Sequence, residues 1–317
     1  MSDPMTTPVA DAGTFIQVSE IWVPEGDRLV HKGGSYGALT GFEEASRRES
    51  FAKGEGLPGK AWAEGRPVVL KAFDGSYFKR TEAAHAAGLT SAVAIPVFAG
   101  DTLKAVLVVL CGDDDLRTGA IEVWVEDNGV LMLQDGYFGA ARHFEWVSQH
   151  THFPRGQGLP GGVWAAKSPI LMRDLGAGYA FIRSESAGRA GLTTGLGLPV
   201  ECPGLGTCVL TLLSARGTPI ARRFEIWDVR PAREGSPLEA VLTDGICERE
   251  GSLWPQQNPP VDPVKATAWR GPIGQILGSG MPLVQAGPAG LPAGYGLMVG
   301  LPIHQDGAMA FVVAWYL

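Results

Sequence analysis

The same series of sequence features occurs three times in this chain of 317 residues, at an almost constant spacing. Each series begins with a segment rich in β-branched and aromatic residues, and the tryptophans of these segments are Trp22, Trp124 and Trp227. Each series ends with "IPV", "LPV" or "LPI", whose prolines are Pro96, Pro199 and Pro302. The spacing is 102 or 103 residues throughout, which is too long for a solenoid repeat and fits a small domain. The repeat predicts three copies of one domain: unit 1 at 1–115, unit 2 at 116–217 and unit 3 at 218–317.

Each unit has the pattern of an α+β domain. Unit 1 starts with two predicted strands, Phe15 to Val23 and Arg28 to His31, joined by the turn "EGD". A glycine motif, a short helix and the strand "PVVLKAF" follow. A second helix, from roughly Tyr77 to Ala87, leads into the strands "SAVAIPVF" and "LKAVLVVL". This order predicts a mainly antiparallel sheet of about five or six strands with short helices on one face.

The composition excludes several classes of protein. Apolar residues make up 45% of the chain, so each unit can bury a core. The net charge is −7 and no basic cluster is present, which argues against a nucleic-acid partner. No apolar run approaches the ~20 residues that span a bilayer, so no membrane partner is expected. The first residues have neither a basic start nor an apolar run, so we predict a cytoplasmic protein.

The glycine motif "GEGLPGKAW" at 54–62 returns as "GQGLPGGVW" at 156–164. A phosphate-binding loop would need a lysine or a G-K-[ST] ending, and the second copy has Gly162 where the first has Lys60. Glycine permits a sharp corner, and a proline near the start presets a helical turn. The motif therefore predicts a structural joint that opens a short helix, with Trp62 and Trp164 directed into the core.

Units 1 and 2 resemble the GAF domain family. In unit 1 the resemblance lies in "GEGLPGKAWAEGRPVVL", the helix "YFKRTEAAHAAGL" and "SAVAIPVFAGDTLKAVLVVL"; unit 2 repeats all three, and together they cover both units nearly end to end. The resemblance implies a sheet of about six strands, related to the PAS fold, with a pocket under the helices and a sensory or regulatory role. GAF domains usually carry long terminal helices, for which the connections here leave almost no room. The three units are therefore expected to be closely joined.

The third unit departs from the pattern. The distance between the two aligned prolines shrinks from 29 or 30 residues to 20, and "AGPAGLPAGYG" replaces the second helix. A longer loop, "CEREGSLWPQQNPPVDP", is added before its glycine motif. We therefore interpret unit 3 as a degenerate GAF-like domain without the pocket helix, suited to a structural role or a partner surface.

The candidate ligand-binding residues lie on or before the second helix of units 1 and 2, where the resemblance implies a pocket. They are Phe73, Tyr77, Phe78, Arg80, His85, Tyr179, Phe181, Arg183, Ser186 and Arg189. The pairs Phe78 with Phe181 and Arg80 with Arg183 align between the units, which is more typical of scaffold than of a ligand site. The planar guanidinium of Arg189 would suit a carboxylate.

These observations favour a small-molecule-binding regulatory protein that is not an enzyme and that acts through a separate protein partner. The cofactor is left unassigned, and neither a catalytic residue nor a metal ligand is assigned. One alternative is a haem sensor ligated by His85, since a neutral imidazole can bind iron. Another is a thiol redox enzyme resembling methionine sulfoxide reductases, with Cys202 and Cys208 facing each other across a hairpin and able to form a disulfide. A third is a structural adaptor whose pockets are filled by its own side chains.

Overall fold

A computed structural model describes residues 13–112, 114–177, 180–205, 208–230, 237–247, 251–253 and 263–317. The strands are β1 Val18–Glu25, β2 Arg28–Ser35, β3 Ser50–Ala52, β4 Val68–Leu70, β5 Leu89–Ala99, β6 Thr102–Gly112, β7 Thr118–Asp127, β8 Val130–Gly139, β9 Phe153–Pro154, β10 Ile170–Arg173, β11 Leu192–Val200, β12 Cys208–Ala215, β13 Arg223–Arg230, β14 Glu239–Cys247, β15 Gly251–Ser252, β16 Lys265–Thr267, β17 Leu283–Ala286, β18 Leu297–Gln305 and β19 Ala308–Tyr316. The helices are α1 Thr40–Arg47, α2 Gly56–Glu64, α3 Thr81–Ala86, α4 Arg142–Gln149, α5 Gly158–Ala166, α6 Ser184–Ala190 and α7 Gly271–Ser279.

The three sheets share one strand order, which confirms the predicted fold of three GAF-like α+β domains. Unit 1 runs β3-β2-β1-β6-β5-β4, and unit 2 runs β9-β8-β7-β12-β11-β10. Unit 3 runs β15-β14-β13-β19-β18-β17, and β16 pairs with β14 as β3 pairs with β2. All neighbours are antiparallel. The predicted boundaries at 115/116 and 217/218 fall between β6 and β7 and between β12 and β13.

The central strands are buried on both faces. One face of each sheet packs under its own helices, as Trp22 and Leu110 do in unit 1. The other faces of the three sheets meet in one shared core, to which Ile95, Leu198 and Leu301 each contribute from a different unit. Segments such as "KAVLVVL" are therefore apolar at nearly every position, since no face of the strand meets water. The predicted close joining of the units is achieved by sheet faces.

The three units close into a ring. Strand β4 of unit 1 contacts β8 of unit 2, and β17 of unit 3 contacts β1 and β2 of unit 1. Unit 2 reaches unit 3 through Arg173 in β10, which binds Asp244 in β14. The motifs around Pro96, Pro199 and Pro302 meet at the centre of the ring, beside a cavity of about 20 Å³. That volume accommodates one water molecule at most, so the centre of the ring is a packed core.

The glycine motif forms a helix-opening joint in all three units. The backbone N–H of Gly54 donates to Gly59, and that of Gly156 donates to Gly161. A Cβ on Gly59 would lie 2.1 Å from the carbonyl oxygen of Ala52, so only glycine fits. The motif then enters α2 or α5 as predicted. Trp62 and Trp164 differ from the prediction: they are half-buried and pack against the core of their unit, not inside it.

The structure also corrects the length of the second helix. It spans Thr81–Ala86 in unit 1, shorter than the predicted Tyr77 to Ala87, because residues 74–80 form turns that lead Phe78 and Arg80 into the core. Residues 287–296 of unit 3 contain no helix, as predicted. The inserted loop of unit 3 lies largely outside the described residues. Among the helices that the structure describes, the longest have nine residues and none could cross a bilayer.

Candidate functional site

A buried ion pair occupies the space between the sheet and the helices of unit 1. Arg80 donates from Nη1 to Glu20 Oε1 at 2.5 Å, and also to the hydroxyl of Ser46. The guanidinium carbon lies 4.7 Å from the ring centre of Phe42 and 5.2 Å from that of Phe78. Both charged side chains are almost completely buried. The carboxylate binds one nitrogen of the guanidinium, while Nε and Nη2 are buried without a hydrogen-bond partner among the described residues and face the aromatic rings.

Unit 2 repeats the arrangement. Arg183 binds both carboxylate oxygens of Glu122, with Nη2 donating to Oε2 at 2.9 Å. Ser148 accepts from Arg183 at 2.5 Å, and Thr211 donates to Glu122 at 2.7 Å. Burial alone would raise the pKa of the Glu122 carboxyl, but the charge and hydrogen bonds of Arg183, with those of Thr211 and Trp124, hold it below its usual value.

In every unit the buried glutamate stands two residues before the repeated tryptophan. The indole Nε1 donates to Glu20 at 3.1 Å, to Glu122 at 3.0 Å and to Glu225 at 2.9 Å. Unit 3 has no second helix to supply an arginine, and Arg223 and Tyr316 bind Glu225 instead. Alternate residues of a strand share a face, so the recurring E-x-W pattern is the sequence signal that could have identified this cluster.

Six of the ten predicted ligand-binding residues are buried in these interiors: Phe73, Phe78, Arg80, Phe181, Arg183 and Ser186. Tyr77 is exposed and lies beside Lys60. His85 is half-exposed, with Nε2 3.4 Å from Asp74. Arg189 points outward and binds Glu185 one turn away at 2.5 Å. Tyr179 lies outside the described residues. Ligand binding by this set stays a prediction. Three cavities found among the described residues lie between units: one at the centre of the ring and two at interfaces.

The four cysteines are free and buried. Cys202 and Cys208 share a hydrogen bond, and this bond together with burial raises the pKa of the Cys202 thiol. Burial likewise raises the pKa of Cys111. The same hydrogen bond lowers the pKa of the Cys208 thiol. The thiolate is the reactive form, so the raised pKa values disfavour reaction at Cys202 and Cys111, and burial shields Cys208 from reagents.

We therefore expect 5,5′-dithiobis(2-nitrobenzoate) to label none of the four thiols of the native protein while it fully labels free cysteine in the same buffer. In guanidinium chloride, with or without prior reduction, it should label all four. Rapid release of one or two equivalents of thionitrobenzoate from the native chain, or a two-thiol deficit without reduction, would revive the thiol-enzyme alternative.

The interfaces of the ring are equivalent in position but not in chemistry. Lys71 follows the edge strand of unit 1 and lies 3.4 Å from Asp135 of unit 2. Arg173 stands at the same register position in unit 2 and lies 2.7 Å from Asp244 of unit 3. At the interface between units 3 and 1 the corresponding residues are Ala286 and Gly33. This third interface therefore lacks the ion pair that joins the other two.

A cavity of about 530 Å³ opens at the third interface, and we call it the ring-closing cleft. It is lined by Ile21, Lys32, Gly33, Trp269, Gln275, Ser279, Met281, Pro282, Leu283 and Val284. Its volume falls in the range of ~300–1,000 Å³ that is typical of small-molecule sites, and its wall is mainly apolar with a few polar groups.

Trp269 of the cleft departs from the repeat in two ways. It takes the place of Gly54 and Gly156, since its N–H donates to Gly274 as theirs do to Gly59 and Gly161. Its φ of +67° is left-handed, where those glycines have +87° and +85°. A bulky side chain in this conformation costs about 1–2 kcal/mol, yet Trp269 is 69% exposed. Gly278 makes room for the ring: a Cβ there would lie 2.3 Å from it.

Comparison with known proteins finds a family match over the first unit. Residues 9–124 match the profile of the family described as GAF domain, which confirms the resemblance there. No curated protein matches the chain. Similar solved structures include the GAF domain of nlh2 from A. aeolicus in an inactive state, at 24% identity over 31% of this chain and 58% of that one, TM-score 0.26. A second is free methionine-R-sulfoxide reductase from Neisseria meningitidis with its substrate, at 18% identity over 30% of this chain and 52% of that one, TM-score 0.25. A third is the GAF domain of Acinetobacter phosphoenolpyruvate-protein phosphotransferase, at 19% identity over 30% of this chain and 54% of that one, TM-score 0.24. This chain spans between half and three fifths of these three structures, and at such TM-scores the similarities carry no argument about function.

Proposed function

Residues 9–124 belong to the GAF domain family, and from this premise we propose that the protein is a small-molecule-binding regulatory protein of the cytoplasm. Its ligand binds in the ring-closing cleft between units 1 and 3. The chain carries the sensing element, and a separate protein partner supplies the output. The interiors of units 1 and 2 are scaffold, since Arg80 and Arg183 already occupy them with their own carboxylate partners.

The observation that carries this proposal is the set of changes confined to one of three equivalent interfaces. Gly33 and Ala286 replace an acid and a base, which removes an ion pair. Trp269 replaces a glycine and places an exposed indole in a strained conformation, and Gly278 makes room for it. Gly33 and Trp269 both line the ring-closing cleft. A strained backbone at an exposed aromatic residue is a feature that clusters at ligand sites.

A ligand in this cleft would contact both β2 of unit 1 and α7 of unit 3. Because the units touch there mainly through β17, the ligand would add contacts between the first and the last unit. It would thereby favour the arrangement in which unit 3 packs most closely against unit 1. A partner protein that binds one arrangement better than the other would then sense the ligand, with a coupling free energy of about 1–3 kcal/mol.

The neutral fluorescent probe N-phenyl-1-naphthylamine tests the site independently of charge. We expect the parent protein to bind one equivalent, and Trp269→Gly to weaken binding at least about tenfold, because the ring supplies a flat aromatic surface. The variant restores the residue of units 1 and 2 and removes strain, so it should be no less stable than the parent. Trp146→Phe is the matched control, since Trp146 is 56% exposed on α4, away from the cleft.

Two outcomes would contradict the proposal. One is probe binding that is equal in the parent and Trp269→Gly; the other is equal loss in Trp269→Gly and Trp146→Phe. Hydrogen exchange gives the regulatory readout: a bound ligand should slow exchange in β17 and β2 while exchange in β11 is unchanged.

A further inference from the structure

We propose that the ring-closing cleft selects a planar organic anion, in which an aromatic group lies against Trp269 and a carboxylate lies beside Lys32. This inference rests on the proposed function, since it names the chemical class of ligand for the same cleft. Three features of the cleft carry it: where its one charged side chain stands, which residue is missing beside that side chain, and what forms the opposite wall.

Lys32 stands at a β-bulge. The pairing of the first two strands skips one residue at the same place in each unit, and the skipped residues are Lys32, Gln134 and Thr243. A bulge redirects the side chain that it carries. Only unit 1 places a charge at this position. Among the described residues that line the cleft, Lys32 is the single ionisable one, so the cleft is locally positive in a chain whose net charge is −7.

Gly33, next to Lys32, stands where the other two units have an acidic residue. Units 2 and 3 have Asp135 and Asp244 at this position, and each forms an ion pair with a base of the preceding unit. Unit 1 has no acid at this position, and unit 3 has no base at the matching position, Ala286. A Cβ built on Gly33 would meet no heavy atom within 4 Å, so the space that the acid would occupy is open. An anionic ligand group fits this space and neutralises Lys32, whereas a cation would be repelled.

The opposite wall selects the shape of the ligand. The indole of Trp269 is exposed on one side of the cleft, and Ile21, Met281 and Leu283 provide apolar surface around it. Aromatic rings favour offset-stacked or edge-to-face contact with one another, and methionine sulfur contacts rings favourably. A flat aromatic group therefore uses this wall better than a branched aliphatic one of equal size.

Isothermal titration calorimetry with three ligands of one ring system tests the class: 2-naphthoate, 2-naphthylmethanol and 2-naphthylmethylammonium. We expect the parent to bind the carboxylate about tenfold more tightly than the alcohol and to bind the ammonium compound weakest. Lys32→Gln should weaken naphthoate binding about 3- to 10-fold and leave binding of the alcohol unchanged, because Lys32 is exposed and its contact with the carboxylate is charge-assisted. Gly33→Asp, which restores the residue of the other units, should weaken naphthoate at least as much and strengthen binding of the ammonium compound.

Lys53→Gln is the control for a change of net charge, since Lys53 is also exposed in unit 1 but does not line the cleft. Equal affinity for the three ligands, or naphthoate binding that Lys32→Gln does not change, overturns the ligand class. The site itself is then tested separately: weaker binding of the neutral probe by Trp269→Gly supports it, and unchanged binding contradicts it. If neither naphthoate nor the neutral probe binds the parent, both proposals fail together.

Discussion

Replacing Arg183 by alanine will lower the free energy of unfolding of the chain by about 3 to 5 kcal/mol. The substitution leaves the Glu122 carboxylate buried without a counter-charge, in a site where both partners are almost fully excluded from water. It also removes the cation that lies 4.6 Å from the ring centre of Phe144 and 5.2 Å from that of Phe181. Urea unfolding followed by circular dichroism measures the change.

The control for this prediction lies six residues away. Arg189→Ala removes an arginine from α6 whose side chain is 64% exposed and whose ion pair is local, so we expect a change within about 0.5 kcal/mol. Adding Glu122→Gln to Arg183→Ala should recover part of the loss, because the amide needs no counter-charge but can still accept from Thr211 and Trp124. A loss in Arg183→Ala no larger than that in Arg189→Ala would refute the view that this ion pair organises the interior of unit 2.

Replacing Gly161 by alanine will destabilise the chain by about 2 to 3 kcal/mol, whereas the same change at the next residue will not. A Cβ on Gly161 would lie 2.2 Å from the carbonyl oxygen of Pro154, a backbone atom that cannot move without distorting the joint. A Cβ on Gly162 would meet only the flexible end of Ile170, at 3.2 Å, and unit 1 has Lys60 at that position.

The two neighbouring substitutions are therefore expected to change the unfolding free energy in opposite directions. Gly162→Ala should raise the unfolding free energy by up to about 1 kcal/mol, since alanine is the better helix former inside α5. Thermal unfolding of both variants beside the parent protein decides the matter. Equal destabilisation by both, or none by Gly161→Ala, would mean that the glycines are not required by close backbone approach.

The repeat allowed most of the fold to be predicted from sequence. The constant spacing of Trp22, Trp124 and Trp227 gave three copies, and the order of apolar segments gave the antiparallel sheets. The short connections correctly indicated close joining. Which faces join could not be predicted, because continuous apolar segments such as "KAVLVVL" are compatible with burial under either helices or another sheet.

The sequence was less informative about the sites. Arg80 and Arg183 were identified as an aligned pair, but their partners Glu20 and Glu122 were missed, because a glutamate in a strand is usually placed on the exposed face. The E-x-W pattern would have revealed them. Trp269 was overlooked in an aligned motif where the other units have glycine. The cleft itself depends on how unit 3 meets unit 1, which no local pattern encodes.

The ring of equivalent interfaces shows how a binding site can arise at one interface while the other two are unchanged. In an assembly of identical subunits with threefold symmetry, a substitution at one contact appears at all three, so a change that opens one contact weakens the whole assembly. Covalent linkage removes that constraint. Here two contacts between units are held by ion pairs, Lys71 with Asp135 and Arg173 with Asp244. The contact between the first and last copies can then lose its ion pair without dissociation of the chain, and an asymmetric recognition surface can develop on a symmetric scaffold.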